Sequence, residues 1–545
     1  VSRTVNRRQF LTAAGIGAVA AGTVTGCDSL FTPKGPVSGA TGTVMSSAVE
    51  LPPRFDAELP KVPVLEPVRS AGGVDHYEVT QRAADAQILP GFTTQIWGYN
   101  GIFPGPTIEA RSGRQIEVTI HNELPVPTST HLHGGVNPHD SDGYPTDLIV
   151  PDGYDKRVDA AMLSMHARQA AGTGNGPQQG RVPQKPDPQV WSLHPDSRTY
   201  RYPLEQRAAP LWYHDHRMDF SGPQLWRGLV GSAFVRDEEE DFLDLAAGDK
   251  ELSLLICDRS FDADGQLQYP SKDPQLHDPG GVKSAYMDGV LGDVLLVNGA
   301  PWPVKRVANT KYRLRLLNAS NARVYQLTFR AGNRELPITQ IGSDGGLLVA
   351  PQRLPSIPMS PAERFDVVVD FSALPVGTEV VVANSVGSGP AGQVMKFVVD
   401  RAETDTTTIP DRLCRSYRRL DRKDAVGVRT FDFRLSTGDI WTVNGEPFDP
   451  RESLATPKLG TVELWRFTSD FNHPVHTHLA HFQVHSRDGG KPNRHDAGWK
   501  DTVNVTPYGV VEVLVEFTGF RGKYLVHCHN LEHEDMAMMA NFTVV

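Results

Sequence analysis

The sequence predicts an all-β protein built from three Greek-key sandwiches. Three observations carry this expectation. Glycine and proline are abundant, 50 and 42 of 545 residues, as short strands joined by tight turns require and a helical bundle does not. From Asp75 onward, short runs alternate apolar and polar residues with the period of a half-buried strand. The run Gln115-Ile-Glu-Val-Thr-Ile-His121 is the clearest, with residues 380–382 and 511–517 behaving alike. Long amphipathic helices are scarce; residues 155–169 are one candidate.

In chain order, the first 27 residues read as an export signal. Arg7 and Arg8 precede an apolar run from Phe10 to Val24, the pattern of a twin-arginine signal. That run is short for a membrane span, which takes about 20 residues. It ends Val24-Thr25-Gly26-Cys27, which resembles a bacterial lipoprotein box with Cys27 as the acylated residue; the alternative is a plain cleaved signal with an incidental cysteine. The expected location is therefore the outer face of the cytoplasmic membrane, through a lipid anchor at Cys27, or the periplasm or medium. A twin-arginine route carries folded proteins, which hints at a metal site assembled in the cytoplasm. Residues 28–74 are rich in Pro, Ser, Gly and Thr and read as a tether. Two polar connectors, 237–249 and 401–424, then divide the remainder into domains at 75–236, 250–400 and 425–545, each the size of one sandwich. The Gly/Gln/Pro-rich stretch 172–188 reads as a surface loop inside the first.

Charge and cysteine content narrow the function. The formal net charge is −10, which argues against phosphate-backbone binding, so no nucleic-acid partner is expected. Four cysteines are too few for a disulfide framework, whereas 19 histidines direct attention to imidazole chemistry.

Four clusters hold ten of those histidines: His131-Leu-His133, His214-Asp-His216, His473-Pro-Val-His476-Thr-His478, and His527-Cys528-His529 followed by His533. Each contains a His-x-His pair. On a strand, residues i and i+2 share a face, so each pair offers two imidazoles to one point. A mononuclear site needs three or four ligands, so eight imidazoles imply several metal ions. Cys528 has parity opposite to His527 and His529, and His473 opposite to His476 and His478. Cys528, His473 and His533 can therefore form a second site. Two histidines, a thiolate and a long axial methionine make the blue-copper ligand set, and Met538 lies five residues beyond His533.

These four motifs, in this order, resemble the multicopper oxidases, and in particular the branch of bacterial spore-coat laccases, phenoxazinone synthase and bilirubin oxidase. Ser141-Asp142-Gly143, Val297-Asn-Gly, Asn318-Ala-Ser and Ile341-Gly-Ser-Asp-Gly-Gly346 add to the likeness. The resemblance implies three cupredoxin-like domains and four copper ions, with a trinuclear centre between the first and third domains. It places His131 and His476 on type 2 copper, and His133, His214, His216, His478, His527 and His529 on the type 3 pair. It places His473, Cys528 and His533 on type 1 copper with Met538 axial. It makes Asp142 and Glu534 proton-relaying acids. Thr477, where leucine is common, and the insertion at 161–189 depart from the pattern.

The implied activity is one-electron oxidation of a small aromatic reductant, a phenol or aromatic amine, coupled to reduction of O2 to water. Alternatives are a metal-ion oxidase of the same family acting on Mn(II), Fe(II) or Cu(I), a copper nitrite reductase, and a copper-free exported scaffold. No methionine-rich segment points to a dedicated cuprous oxidase. His481 and His485 read as strand residues or neighbours of the ligands, His139 as a loop residue, and Cys257 as a buried inert thiol. A Cys257–Cys414 bridge stays open. The loop 486–499 and the insertion at 161–189 are the segments expected to shape the substrate pocket.

Overall fold

The computed structural model describes residues 41–152, 154, 190–277 and 281–545. The expected signal over 1–27, the helix candidate over 155–169 and the insertion at 161–189 lie outside them. Six large sheets form three successive pairs, the arrangement of three β-sandwiches. In the first pair, a five-stranded sheet contains Val74–Ala86 and Ile116–Asn122, and a four-stranded sheet contains Thr130–His133 and Ala209–Asp215. The second pair is a seven-stranded and a six-stranded sheet running from Glu251 to Arg401. The third is two five-stranded sheets, one of which carries both His473–Thr477 and Gly522–Cys528.

The alternation seen in the sequence has its physical counterpart here. Ile116, Val118 and Ile120 point into the first core, while Glu117, Thr119 and His121 are partly exposed. Residues 511–517 do the same in the third domain, with Val511, Val513, Val515 and Phe517 in the core. Helices among the described residues are short; the longest α-helix, Ser221–Arg227, has seven residues.

The expected tether needs correcting for its described part. Residues 41–74 are docked chain. Thr43–Met45 pairs in parallel with Val290–Gly292. Phe55 N donates to Trp302 O at 2.9 Å, Leu59 N to Val304 O at 2.8 Å, and Leu65 N to Thr107 O at 2.8 Å. A Pro-rich extended segment lies as readily against a sheet edge as in solvent, and composition does not distinguish the two.

The acidic connector is likewise anchored. Glu240 is buried against Arg313 (2.6 Å) and Arg315. Burial raises the neighbouring Glu251 carboxyl, but the charges of Arg315 and Arg313 outweigh it and bring Glu251 down to about 2. Removing one partner from such a buried network costs about 3–5 kcal/mol. The two connectors also meet each other, through Glu239, which accepts from Ser416 N at 3.1 Å and from Cys414 Sγ at 3.2 Å. Cys414 and Cys257 are both buried free thiols, so the bridge left open by the sequence does not form.

Candidate metal centres

Antiparallel pairing brings the histidine motifs together in twos. His131 sits opposite His214 in the first domain, and His476 opposite His527 in the third. His131 and His133 both lie on a strand. His216, His478 and His529 each lie one residue past the end of theirs. Leaving the ladder there frees each ring to turn toward the space between the first and third domains. All eight rings are buried.

The second nitrogen of most of these rings is fixed by a hydrogen-bond acceptor, which sets the tautomer. Nδ1 donates to Asp142 O from His131 (2.5 Å), to Asp215 O from His214 (2.8 Å), to Asp501 O from His476 (2.9 Å) and to Cys528 O from His527 (3.1 Å). His478 Nδ1 donates to Asp142 Oδ2 at 2.7 Å. His133 is turned the other way: its Nε2 donates to Asp501 Oδ1 at 3.0 Å, so its Nδ1 faces the cluster.

The inward nitrogens are therefore lone pairs. Those of His131, His133, His214 and His476, and both of His529, have no hydrogen-bond partner although buried. Burial also holds His131, His133, His214, His478, His527 and His529 well below the usual imidazole range, and His216 at about 4, so the rings stay neutral. Neutral imidazoles whose buried lone pairs face one another fit metal cations and little else. The donor atoms fall into three sets, each within 4.8 Å: His131, His133 and His476; His133, His214 and His529; His216, His478 and His527.

A separate triad lies within the third domain. Cys528 Sγ is 3.4 Å from His473 Nδ1 and 3.6 Å from His533 Nδ1, and the two nitrogens are 3.1 Å apart. His473 Nε2 points at Asp470 Oδ1 (3.3 Å) and His533 Nε2 at Asp288 O (3.2 Å), which leaves both Nδ1 atoms to face the sulfur. Trp441 stacks on His533 at 3.7 Å between ring centroids. Met538 is fully buried beside this triad; its N donates to His533 O at 3.0 Å and its O accepts from Cys528 N at 3.1 Å. Burial pushes the Cys528 thiol well up, so a soft cation is what makes it a thiolate.

Multicopper oxidase family models match residues 80–159, 266–402 and 423–545, one for each pair of sheets. The chain belongs to the multicopper oxidase family. It is 33% identical to a laccase of Bacillus subtilis (strain 168), over 89% of this chain and 97% of that one. It is 31% identical to a bilirubin oxidase of Albifimbria verrucaria, over 93% and 84% respectively. Among solved structures, a laccase from Pediococcus acidilactici superposes with a TM-score of 0.75 at 29% identity, covering 92% of this chain and 96% of its own.

A multicopper oxidase carries four coppers, one type 1, one type 2 and a type 3 pair, and the donor sets above fit them in number and kind. The two acids singled out in the sequence lie against this oxidase's histidines. Glu534 places Oε1 3.5 Å from His216 Nδ1 and Oε2 3.2 Å from His527 Nδ1. Asp142 contacts His131 and His478. Burial raises both carboxyl groups. His481 Nε2 donates to Gly134 O at 3.0 Å, His485 lies on the strand Phe482–Arg487, and His139 opens a short turn.

Sequence reasoning missed the groups that orient the ligands. Asp501 holds two of them, Trp441 stacks on a third and Asp470 aligns a fourth. None lies in a histidine motif. The one available signal was a lysine–aspartate pair, Lys500-Asp501, immediately before the strand Thr502–Val505.

Proposed function

We propose that this multicopper oxidase is laccase-like, taking single electrons from phenols or aromatic amines and passing them to O2. When bound, the coppers would supply the redox chemistry, one-electron oxidation of the donor coupled to reduction of O2 to water. The observation that carries the reading is the covalent sequence His527-Cys528-His529. Its sulfur belongs to the single-domain triad, and its two imidazoles belong to the cluster shared with the first domain.

In this reading His473, Cys528 and His533 would hold type 1 copper, with Met538 as the thioether beside them. Met538 is favoured over its neighbours by its backbone contacts to both Cys528 and His533, whereas Met539 packs in a different apolar cluster with Tyr144 and Trp191. His131 and His476 hold type 2 copper. The type 3 pair divides between His133, His214 and His529 on one ion and His216, His478 and His527 on the other. Asp142 and Glu534, buried against these histidines, are the proton-relaying acids.

Steady-state O2 uptake tests the reading against a syringyl phenol, o-aminophenol, bilirubin, Mn(II), Fe(II) and Cu(I). Rapid uptake with the aromatic donors and little with the metal ions is the expected result. Uptake with a metal ion alone would replace this reading by a metal-ion oxidase.

The same proposal places the protein outside the cytoplasm, exported through Arg7 and Arg8 and anchored by a lipid on Cys27. Arg7→Lys/Arg8→Lys should hold the chain in the cytoplasm, and Cys27→Ala should release an exported chain from the membrane fraction. An unchanged distribution of both variants would count against it.

A further inference from the structure

The second domain contributes none of the twelve metal-facing residues, yet one of its side chains reaches Asp501, the residue that orients two of the cluster's histidines. We infer that Arg364 is a positioning residue for the trinuclear centre, acting through Asp501 on His133 and His476. This rests on the assignment of those histidines given above.

Arg364 begins the strand Arg364–Asp370 of the second domain and is 1% exposed. All five of its side-chain N–H groups have acceptors. Nε donates to Pro210 O at 2.9 Å, on the first-domain strand that carries His214. Nη1 donates to Ala362 O at 3.0 Å and to Asp501 Oδ1 at 2.7 Å. Nη2 donates to Asp501 Oδ2 and, at 3.3 Å, to Asp344 O. The planar fork thus fixes both carboxylate oxygens of Asp501 at once, which a point charge cannot do. One guanidinium joins all three domains.

Asp501 turns that restraint on the cluster. Its Oδ1 accepts from His133 Nε2 and so directs His133 Nδ1 inward. Its main-chain O accepts from His476 Nδ1 and directs His476 Nε2 inward. His133 and His476 stack 3.6 Å apart between ring centroids, and their metal-facing atoms fall in one donor set. Asp501, with Thr502 Oγ1 beside the same two nitrogens at 3.2 and 3.3 Å, therefore sets the tautomers of two neighbouring ligands that the sequence spaces more than 300 residues apart.

The remaining contacts hold the Asp501 backbone. Asp344 Oδ1 accepts from Arg364 N at 2.7 Å, and its Oδ2 takes the Lys500 ammonium at 2.9 Å. Gly345 N and Ser343 Oγ both donate to Trp499 O, at 2.7 and 2.8 Å. The glycine that follows His133 has a matching purpose. Gly134 adopts φ +85°, and a Cβ there would sit 2.7 Å from Arg364 Nη2 and 2.9 Å from Asp501 Oδ2. The motif leaves room for the ion pair.

Loss of a group that orients metal ligands costs about 10–100-fold in metal affinity. The test is made on the copper-loaded full chain with Arg364→Gln and Arg364→Lys. Arg487→Gln serves as a control, because it breaks another ion pair of the third domain, with the buried Asp496 (2.7 Å), that touches no cluster histidine; Arg487 is half-buried. Three quantities are read: the blue type 1 band, the type 2 electron paramagnetic resonance signal, and the rate of copper release to a chelator.

Arg364→Gln should keep the blue band, alter or lose the type 2 signal, and release copper at least about tenfold faster. Arg364→Lys should fall between it and the parent. Arg487→Gln should lower thermal stability with both spectra unchanged. A parent-like type 2 signal and release rate in Arg364→Gln would overturn the inference. So would equal copper loss from Arg487→Gln, which would mark a purely structural role. If Arg364→Gln does not fold, Arg364→Lys decides by the same two readouts. Four coppers and a type 2 signal in the parent check the underlying assignment independently.

Discussion

The two metal centres are built in different ways. The cysteine centre is local: Cys528 and His533 are five residues apart, His473 lies within the same domain, and one sheet with one short helix positions all three. The eight-histidine centre is assembled from two domains, which also meet through Tyr144 Oη to Asn541 Oδ1 at 2.7 Å, and is braced by the second domain through Arg364–Asp501. A local centre takes its ligands from one domain's packing, with Asp288 O of the second domain serving as the acceptor for His533. A shared centre depends in addition on how the domains dock, and it should be the more sensitive to changes at their boundaries.

The largest expected effect removes the local centre and spares the shared one. Cys528→Ser should abolish the intense blue band and turnover, because serine supplies no soft thiolate. Three coppers should remain bound. A blue variant would mean that Cys528 is not the ligand, and loss of all four coppers would show that the centres are not independent.

The converse change is Gly134→Ala. Its Cβ would invade the Arg364–Asp501 pair at a backbone angle of +85°, at a cost of about 1–3 kcal/mol. Copper analysis and spectra should show a depleted or perturbed trinuclear centre with the type 1 band retained. If the type 1 band goes first, the comparison drawn here is reversed.

Glu534→Gln and Asp142→Asn touch only the O2 half of the reaction. Reduction of type 1 copper in the stopped flow should run near the parent rate. Reoxidation by O2 should slow by about 10²-fold or more, the usual worth of a positioned acid. Unchanged reoxidation in both variants would leave these carboxyl groups an orienting role alone.

The smallest effect sharpens the local centre. Met538→Leu conserves volume, so stability should change by less than about 1.5 kcal/mol. A thioether slightly favours oxidised copper, so its loss should raise the type 1 midpoint potential while the blue band persists. A redox titration of Met536→Leu, Met538→Leu and Met539→Leu reads this directly. A rise at Met539→Leu alone would move the axial position by one residue.

Much was legible in the sequence because its signals are local. Strand periodicity follows from burial of alternate side chains, and it announced the sandwiches. His-x-His spacing follows from the same periodicity, so the ten histidines and Cys528 that the fold gathers into two clusters were legible as candidates from their spacing. The type 1 triad was separable from the cluster by parity alone. Residues 41–74 were misjudged for the opposite reason: whether a Pro-rich segment stays in solvent depends on what surface lies beside it.

What the tertiary structure alone decided is how the ligands are aimed. Tautomers are set by the acceptor opposite each ring; some acceptors are neighbours in sequence, such as Asp215 O for His214, but others come from distant parts of the chain: Asp142 for His478, Asp288 for His533, Asp501 for His133. No spacing rule connects residue 133 with 501, or 501 with 364. The sequence determines which side chains can bind copper, because that is a property of the residues and their local period. The packing of three domains determines where their lone pairs point, because a hydrogen bond forms between whatever groups folding brings within 3 Å.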